Sequence, residues 1–220
     1  MNLNQMRKSL SENYPKYCLF IYLIIWVLLA FKPVNRFDWF LENLLPFIFV
    51  PALMLTFKKV RFSNISYTLI TSFLILHAVG AHYTYSEVPF IKSIFNMLHF
   101  ERDNYDRLVH FTFGFFMVYP IRELAVRLAG IRGFLSYSIP INTVMSFSAA
   151  YEIIEWAVAI VVQPENAIAW LGIQGDVFDA EKDMLMAATG AIITMSISYV
   201  KNHQSKTGGM SLIARLFNGF

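Results

Sequence analysis

Only one cysteine, Cys18, occurs in 220 residues, and only 15% of the chain is Asp, Glu, Lys or Arg, where about 25% is usual for a soluble domain. A lone cysteine excludes an internal disulfide and a cysteine-rich metal site; at the head of an apolar run it is expected to be a buried structural thiol. No phosphate-binding glycine loop, nucleophile elbow or dinucleotide fingerprint is present, so the chemistry those motifs carry is not implied. Repeats, low-complexity segments and signs of a second domain are also missing. The first apolar run, YCLFIYLIIWVLLAF, is followed by KPVNR and not by a small-residue cleavage site, which makes it an anchor and not a removable leader.

What the chain has in quantity is apolar surface: 56% of residues are hydrophobic and 16% aromatic. Several apolar runs reach the roughly 17–25 residues that cross a bilayer as a helix. Spans are expected at 17–31, 40–57, 66–83, 107–128, 135–162 and 180–200. The fold class is thus all-α, an integral membrane bundle of six transmembrane helices over residues 16–200, with an N-terminal tail (1–15) and a C-terminal tail (201–220). Pro46, Pro51, Pro120 and Pro140 fall inside spans, where neighbouring helices can take up the carbonyls that a proline frees. In the last tail, Leu212, Ile213, Leu216 and Phe217 recur at helical spacing after a Gly-Gly break, a pattern that suits the membrane surface or a disordered end.

Orientation follows from lysine and arginine, which are in excess in cytoplasmic loops near the spans. Six spans put both termini on one side. That side receives twelve of the eighteen basic residues; Lys32, Arg36, Lys92, Arg102, Arg107 and Lys182 fall on the other. Both termini are therefore expected in the cytoplasm. The net charge of +3 is a topology signal and does not argue for a nucleic-acid partner.

With orientation set, the polar residues sort by depth. Span three ends outside in LHAVGAHYTY, bringing His77 and His82 there; span four begins outside in DNYDRLVHF, with Asp106 and His110 four apart. Span five carries Glu152 and Glu155, three apart, in its outer third, and span six opens on GDVFDAEKD, with Asp179 and Asp183 four apart and Asp176 just before. Residues three or four apart share a helix face. Four helices thus bring ionisable groups to one outward-facing polar cavity. An ionisable side chain within a span costs roughly 2.5–3.5 kcal/mol on insertion scales, so these faces turn inward. Six acids so close together need either protons or a metal; carboxylates mixed with imidazole suit Mg, Mn, Zn or Fe. Asp183, Glu152, His110, Asp179, Asp106, His82 and Asp176 are the candidate metal ligands, with His110, Arg107 and Glu155 as candidate catalytic groups. Some have plainer uses. Asp179 suits an N-cap, His77 a packing role, Glu181 and Lys182 a watery face, and Arg122 with Glu123 a pair at the inner interface.

The segments HAVGAHYTY, NYDRLVHFTFG, YEIIEW and GDVFDAEKDMLMAATGA, in this order and spacing, resemble the YjdF-like family of bacterial inner membrane proteins across spans three to six. More loosely, D-R-x-x-H-F, a Glu in the next span and D-x-x-D-x-x-x-D ahead of a Gly are similar to VanZ-like proteins, linked to glycopeptide-antibiotic resistance. There a Lys usually stands where this chain has Arg107, and an Asn is common in place of Asp183. The resemblance implies an envelope role and functional standing for Asp106, Arg107, His110, Glu152, Glu155, Asp176, Asp179 and Asp183, and it supplies no reaction.

Three functions remain open. The first is a membrane-embedded enzyme or binding protein at the outer leaflet, acting on a lipid-linked or headgroup substrate: Arg107 would hold phosphate, a metal would polarise it and His110 or a Glu would move the proton, with the apolar VPFIKSIFNMLHF segment as a lid. The second is a cation or proton-coupled transporter, the third a non-catalytic scaffold; the lipid bilayer is a partner in all three. Reporter fusions test the topology beneath them. Those at Ser63 and Gly133 are expected to report the cytoplasm and those at Phe90 and Asn166 the outside; an active cytoplasmic reporter at Phe90 or Asn166 would overturn the outward cavity.

Overall fold

The computed structural model describes residues 3–89, 97, 104–161 and 176–206. Their regular structure is helical, with no strand among them. The helices are α1 (Leu3–Leu29), α2 (Arg36–Glu42), α3 (Leu44–Thr56), α4 (Asn64–His82), α5 (Tyr105–Leu128), α6 (Leu135–Val161) and α7 (Asp179–Lys206). Four stretches are long and apolar enough to cross a membrane: Arg36–Thr56, which joins α2 and α3, Asn64–His82, Leu135–Val161 and Asp179–Gln204. The other two long helices have the length. At about 1.5 Å per residue, the 27 residues of α1 and the 24 of α5 rise well beyond the ~30 Å hydrocarbon core. In α5 the charges sit at the two ends, which lowers its mean hydropathy while leaving 108–121 free of Asp, Glu, Lys and Arg.

Two boundaries differ from expectation for one reason. Helix α1 begins at Leu3, well before the apolar run, and α7 continues to Lys206, beyond it, because hydropathy marks only the embedded part of a helix. The expected lid, 88–100, lies outside the described residues apart from Val88, Pro89 and Met97, and so does the tail from 207 to 220.

Local signals explain where the elements break. Asn35 caps α2 by accepting from the N–H groups of Phe37 at 2.9 Å and Asp38 at 3.4 Å, and Ser63 caps α4 by accepting from Ser66 N. The second span breaks at Asn43, whose side chain accepts from Trp26 Nε1 at 2.6 Å and donates to the Trp39 carbonyl at 2.7 Å. Pro46 follows in the first turn of α3. Having no N–H, it leaves the carbonyl of Glu42, four residues back, without its helical donor. His77 of α4 takes that place, its Nε2 donating to the Glu42 carbonyl at 3.0 Å. The expectation that neighbouring helices serve proline-freed carbonyls holds at this bend.

Helix α5 is the hub: it packs against α4, α6 and α7, while α1 lies on α4 and α6 also meets α7. Its contact with α7 is the tightest. A Cβ on Gly114 would lie 1.8 Å from the Ala187 carbonyl oxygen, and one on Gly190 would lie 2.2 Å from that of Phe111. Ala187 and Ala191 are fully buried, and Thr194 Oγ1 donates to the Phe115 carbonyl at 2.7 Å. The small residues of span six therefore form an internal contact, as close packing in lipid requires. Below the polar end lies an apolar layer of Val118, Val144, Ala187, Ala191 and Met195, continued by Tyr22, Ile70, Leu74 and Met117.

Because a side chain at either glycine meets backbone, relief requires the helices to move apart. Gly114→Ala and Gly190→Leu are each expected to lower stability by at least the ~1–3 kcal/mol of an overpacked core, read as a fall in melting temperature in detergent. An unchanged melting temperature for both would show that α5 and α7 do not meet this way.

Candidate functional site

Helices α5, α6 and α7 carry the acids to one end of the bundle because each bears a polar pair at helical spacing. The carboxyl groups of Asp106, Asp179 and Asp183 offer oxygens that lie within 4.8 Å of one another. Asp183 is 2% exposed and Asp179 4%, and Asp183 Oδ1 has no hydrogen-bond partner. A buried, unpartnered carboxylate oxygen is costly. Its position beside two further carboxylates marks this trio as the place where a cation would be compensated best.

His110 stands next to the trio. Its Nε2 lies 3.7 Å from Asp106 Oδ1 and 3.5 Å from Glu152 Oε1, while Ser148 Oγ is 3.4 Å from Nδ1. Glu155, one turn beyond Glu152, is buried and within hydrogen-bonding reach of it. Asp183, His110, Glu152 and Glu155 thus share one polar interior. Of the candidate ligands, Asp106 and Asp179 join Asp183 in the carboxylate trio. His82, a candidate ligand, is used elsewhere: its Nδ1 donates to the Leu29 carbonyl at 2.6 Å and ties α4 to the end of α1.

The mouth is held by cations. Arg107 pairs with Asp176 and, at 3.4 Å, with Asp179, and donates to Asn104 Oδ1 at 3.3 Å. Lys182 Nζ reaches Asp176 Oδ2 at 2.6 Å, so it does not simply face water. The Lys182 ammonium first, then the Phe178 N–H and Arg107, hold the Asp176 carboxyl well below the usual carboxylate range. Nη2 of the Arg107 fork thus engages the acids and Nη1 engages Asn104, while Nε is buried and without a partner among the described residues.

A second polar group adjoins the first and escaped the sequence reading. Glu42 and Asp38, four apart on α2, are 6% and 3% exposed. Tyr151, beside Glu152 on α6, donates from its hydroxyl to Glu42 Oε2 at 2.7 Å, and its ring stands edge-on to His110 at 6.2 Å. His77 belongs to the same group. Since its Nε2 donates to a carbonyl, its Nδ1 accepts from the Tyr85 hydroxyl, at 2.5 Å. Tyr85 is brought there by a turn with two left-handed residues, Thr84 and Tyr85, at φ 52° and 57°, and its ring covers Gly80. Both oxygens of Asp38 are buried without a hydrogen-bond partner. The available signal was the i, i+4 spacing of Asp38 and Glu42, the same spacing as Asp179 and Asp183; starting the second span at residue 40 hid it.

At the opposite end, Glu123 was expected to pair with Arg122. It is bound instead by Arg127 at 2.8 Å, by Ser63 N at 2.7 Å, by Ser63 Oγ at 2.8 Å and by Ser66 Oγ. Arg122 lies over the Tyr137 ring, 4.4 Å from its centroid.

A helical bundle with apolar spans and a buried polar end defines a multi-pass membrane protein. The match to a family model confirms the class: residues 14–204 match the family described as predicted membrane protein (DUF2238), and the chain belongs to that family. It is also 32% identical over 177 residues to the inner membrane protein YjdF of Escherichia coli (strain K12), covering 79% of this chain and 84% of that protein. The YjdF-like resemblance read from the four motifs is thereby established. No solved structure matches the chain.

The hydrogen bond from Tyr151 to Glu42 gives a test of the second polar group. Tyr151→Phe keeps the ring and removes a donor from a buried carboxyl, which is expected to cost about 1–3 kcal/mol, measured by thermal unfolding in detergent. Wild-type stability in Tyr151→Phe would mean that Glu42 does not rely on this hydroxyl.

Proposed function

We propose that this is an inner membrane protein with both termini in the cytoplasm, whose outward-facing polar cavity binds one divalent cation and acts on a lipid-linked or headgroup substrate at the outer leaflet. The observation that carries the metal is Asp183: the residue is 2% exposed, its Oδ1 is buried without a hydrogen-bond partner, and its carboxyl group lies beside those of Asp106 and Asp179 within 4.8 Å. Three hard oxygen donors favour Mg or Mn, and the neighbouring imidazole keeps Zn and Fe open. Asp106, Asp179 and Asp183 would hold the ion directly. His110 and Glu152, at 3.5–3.7 Å from the nearest partners, would orient those ligands or take a proton from a bound substrate. Bound there, a divalent ion would polarise a phosphoryl or carbonyl oxygen.

Arg107 and Lys182 suit a phosphate-bearing headgroup, which would exchange for Asp176 on their donors. The apolar layer beneath the cavity favours a site open to one side over a transport path, the alternative function. A scaffold role would need no ion at all.

The test is stability, because a ligand that binds only the folded state raises it by RT ln(1 + [L]/Kd), about 2.7 kcal/mol at 100 times Kd. Titrating Mn, Zn or Mg into chelator-treated protein is expected to raise the melting temperature. Asp183→Asn, which removes a buried charge, is expected to be no less stable without metal and unresponsive to it. A flat wild-type response to all three metals would sink the proposal and leave the transporter or scaffold.

A further inference from the structure

The loop between α3 and α4 and the end of α5 enclose a cavity of about 160 Å³, lined by Lys59, Val60, Arg61, Phe62, Glu123, Leu124, Arg127 and Leu128. It lies at the end of the bundle opposite the acids. Three cations and one acid face it, and the acid is already compensated. Glu123 receives the Ser63 N–H, both serine hydroxyls and Arg127. Arg127 in turn is fixed by the Arg61 carbonyl at 2.7 Å, so its guanidinium is held in place before any ligand arrives. Arg61 is steadied by the Glu12 carbonyl at 3.0 Å and by the Phe57 ring 5.7 Å away. The Lys59 ammonium has no partner among the described residues. Among the described residues, the Lys59 charge at this cavity is therefore uncompensated.

Its other walls are apolar. Val60, Phe62, Leu124 and Leu128 border the cations, and Leu128 is 62% exposed on the outside of the bundle. Cations set beside exposed apolar side chains at a helix end match a molecule with a phosphate at one end and acyl chains at the other. Free phosphate satisfies only the first half. Basic pockets between spanning helices bind anionic headgroups in this way.

We propose that this cavity binds the phosphate of an anionic lipid headgroup, through Lys59, Arg61 and Arg127, in the leaflet opposite the acidic cavity. The proposal does not depend on a metal at the acidic end; the orientation proposed above decides only that this leaflet is the cytoplasmic one. The test uses full-length protein in an uncharged detergent. Phosphatidylglycerol, phosphatidylcholine and inorganic phosphate are titrated separately, with melting temperature and native mass spectrometry as readouts. Phosphatidylglycerol is expected to bind and stabilise, with affinity falling about fivefold for each cation removed in Lys59→Gln and in Lys59→Gln/Arg61→Gln. Lys59→Gln touches no structural contact, so it separates binding from folding. Equal effects of phosphatidylglycerol and phosphatidylcholine, or an undiminished effect in both variants, would overturn the proposal. Stabilisation by inorganic phosphate as strong as by phosphatidylglycerol, lost in the same variants, would support the phosphate site and overturn its assignment to lipid.

Discussion

Carboxylates gathered at one end of a helical bundle, close to hydrocarbon, have to be neutralised, and most other features of the structure serve that need. Among the described residues, Asp106, Glu152, Glu155, Asp179, Asp183 and Glu42 share the polar end with Arg107, Lys182, His110, His77, Tyr151 and Tyr85. Arg107 and Lys182 are drawn to Asp176 and Asp179, at the mouth. Deeper in, the neighbours are hydroxyls and imidazoles: Tyr151 donates to Glu42, Ser148 contacts His110 Nδ1, and His110 Nε2 lies 3.5 Å from Glu152. Asp183 Oδ1, Glu152 Oε1 and both oxygens of Asp38 are buried without a hydrogen-bond partner among the described residues. Buried carboxyl oxygens without donors are costly, and Asp183 differs from the others in lying beside two further carboxylates.

The scaffold makes this arrangement possible by bringing backbones close. Gly114 and Gly190 let α5 and α7 touch at Ala187 and Phe111, one to two turns below the acids, and this contact sets the separation of Asp106 from Asp179 and Asp183. A wider crossing would spread the trio beyond the reach of one ion. The bend at Pro46 acts on the other wall. By freeing the Glu42 carbonyl for His77, it turns α2 so that Glu42 meets Tyr151 across the cavity. The left-handed turn at Thr84 and Tyr85 completes that wall by lowering the Tyr85 hydroxyl onto His77.

Much of this was legible in the sequence. Hydropathy marks long apolar runs well, and the i, i+4 and i, i+3 spacings of Asp106/His110, Asp179/Asp183 and Glu152/Glu155 correctly put each pair on one inward face. The small-residue face of α7 was equally plain. What local pattern does not carry is the rotation of one helix against another. For that reason the grouping of Asp183 with Asp106 and Asp179 could not be singled out from the wider set of candidate ligands, and His82 went to Leu29. Asp38 and Glu42 were missed because the expected start of the second span at residue 40 separated them, although both lie on one seven-residue helix. Arg127, four residues after Glu123, was passed over for its adjacent Arg122, although neighbours in sequence point to different faces of a helix.

If a divalent cation, and not protons alone, compensates the acids around Asp183 as proposed, metal content reveals it: protein purified without chelator, at neutral pH, assayed by inductively coupled plasma mass spectrometry beside the Asp183→Asn and Asp106→Asn variants. One divalent ion per chain in the wild type, absent from both variants while they remain folded, is the predicted result. No divalent metal in the wild type, even after incubation with excess Mn and removal of the unbound ion, would contradict it.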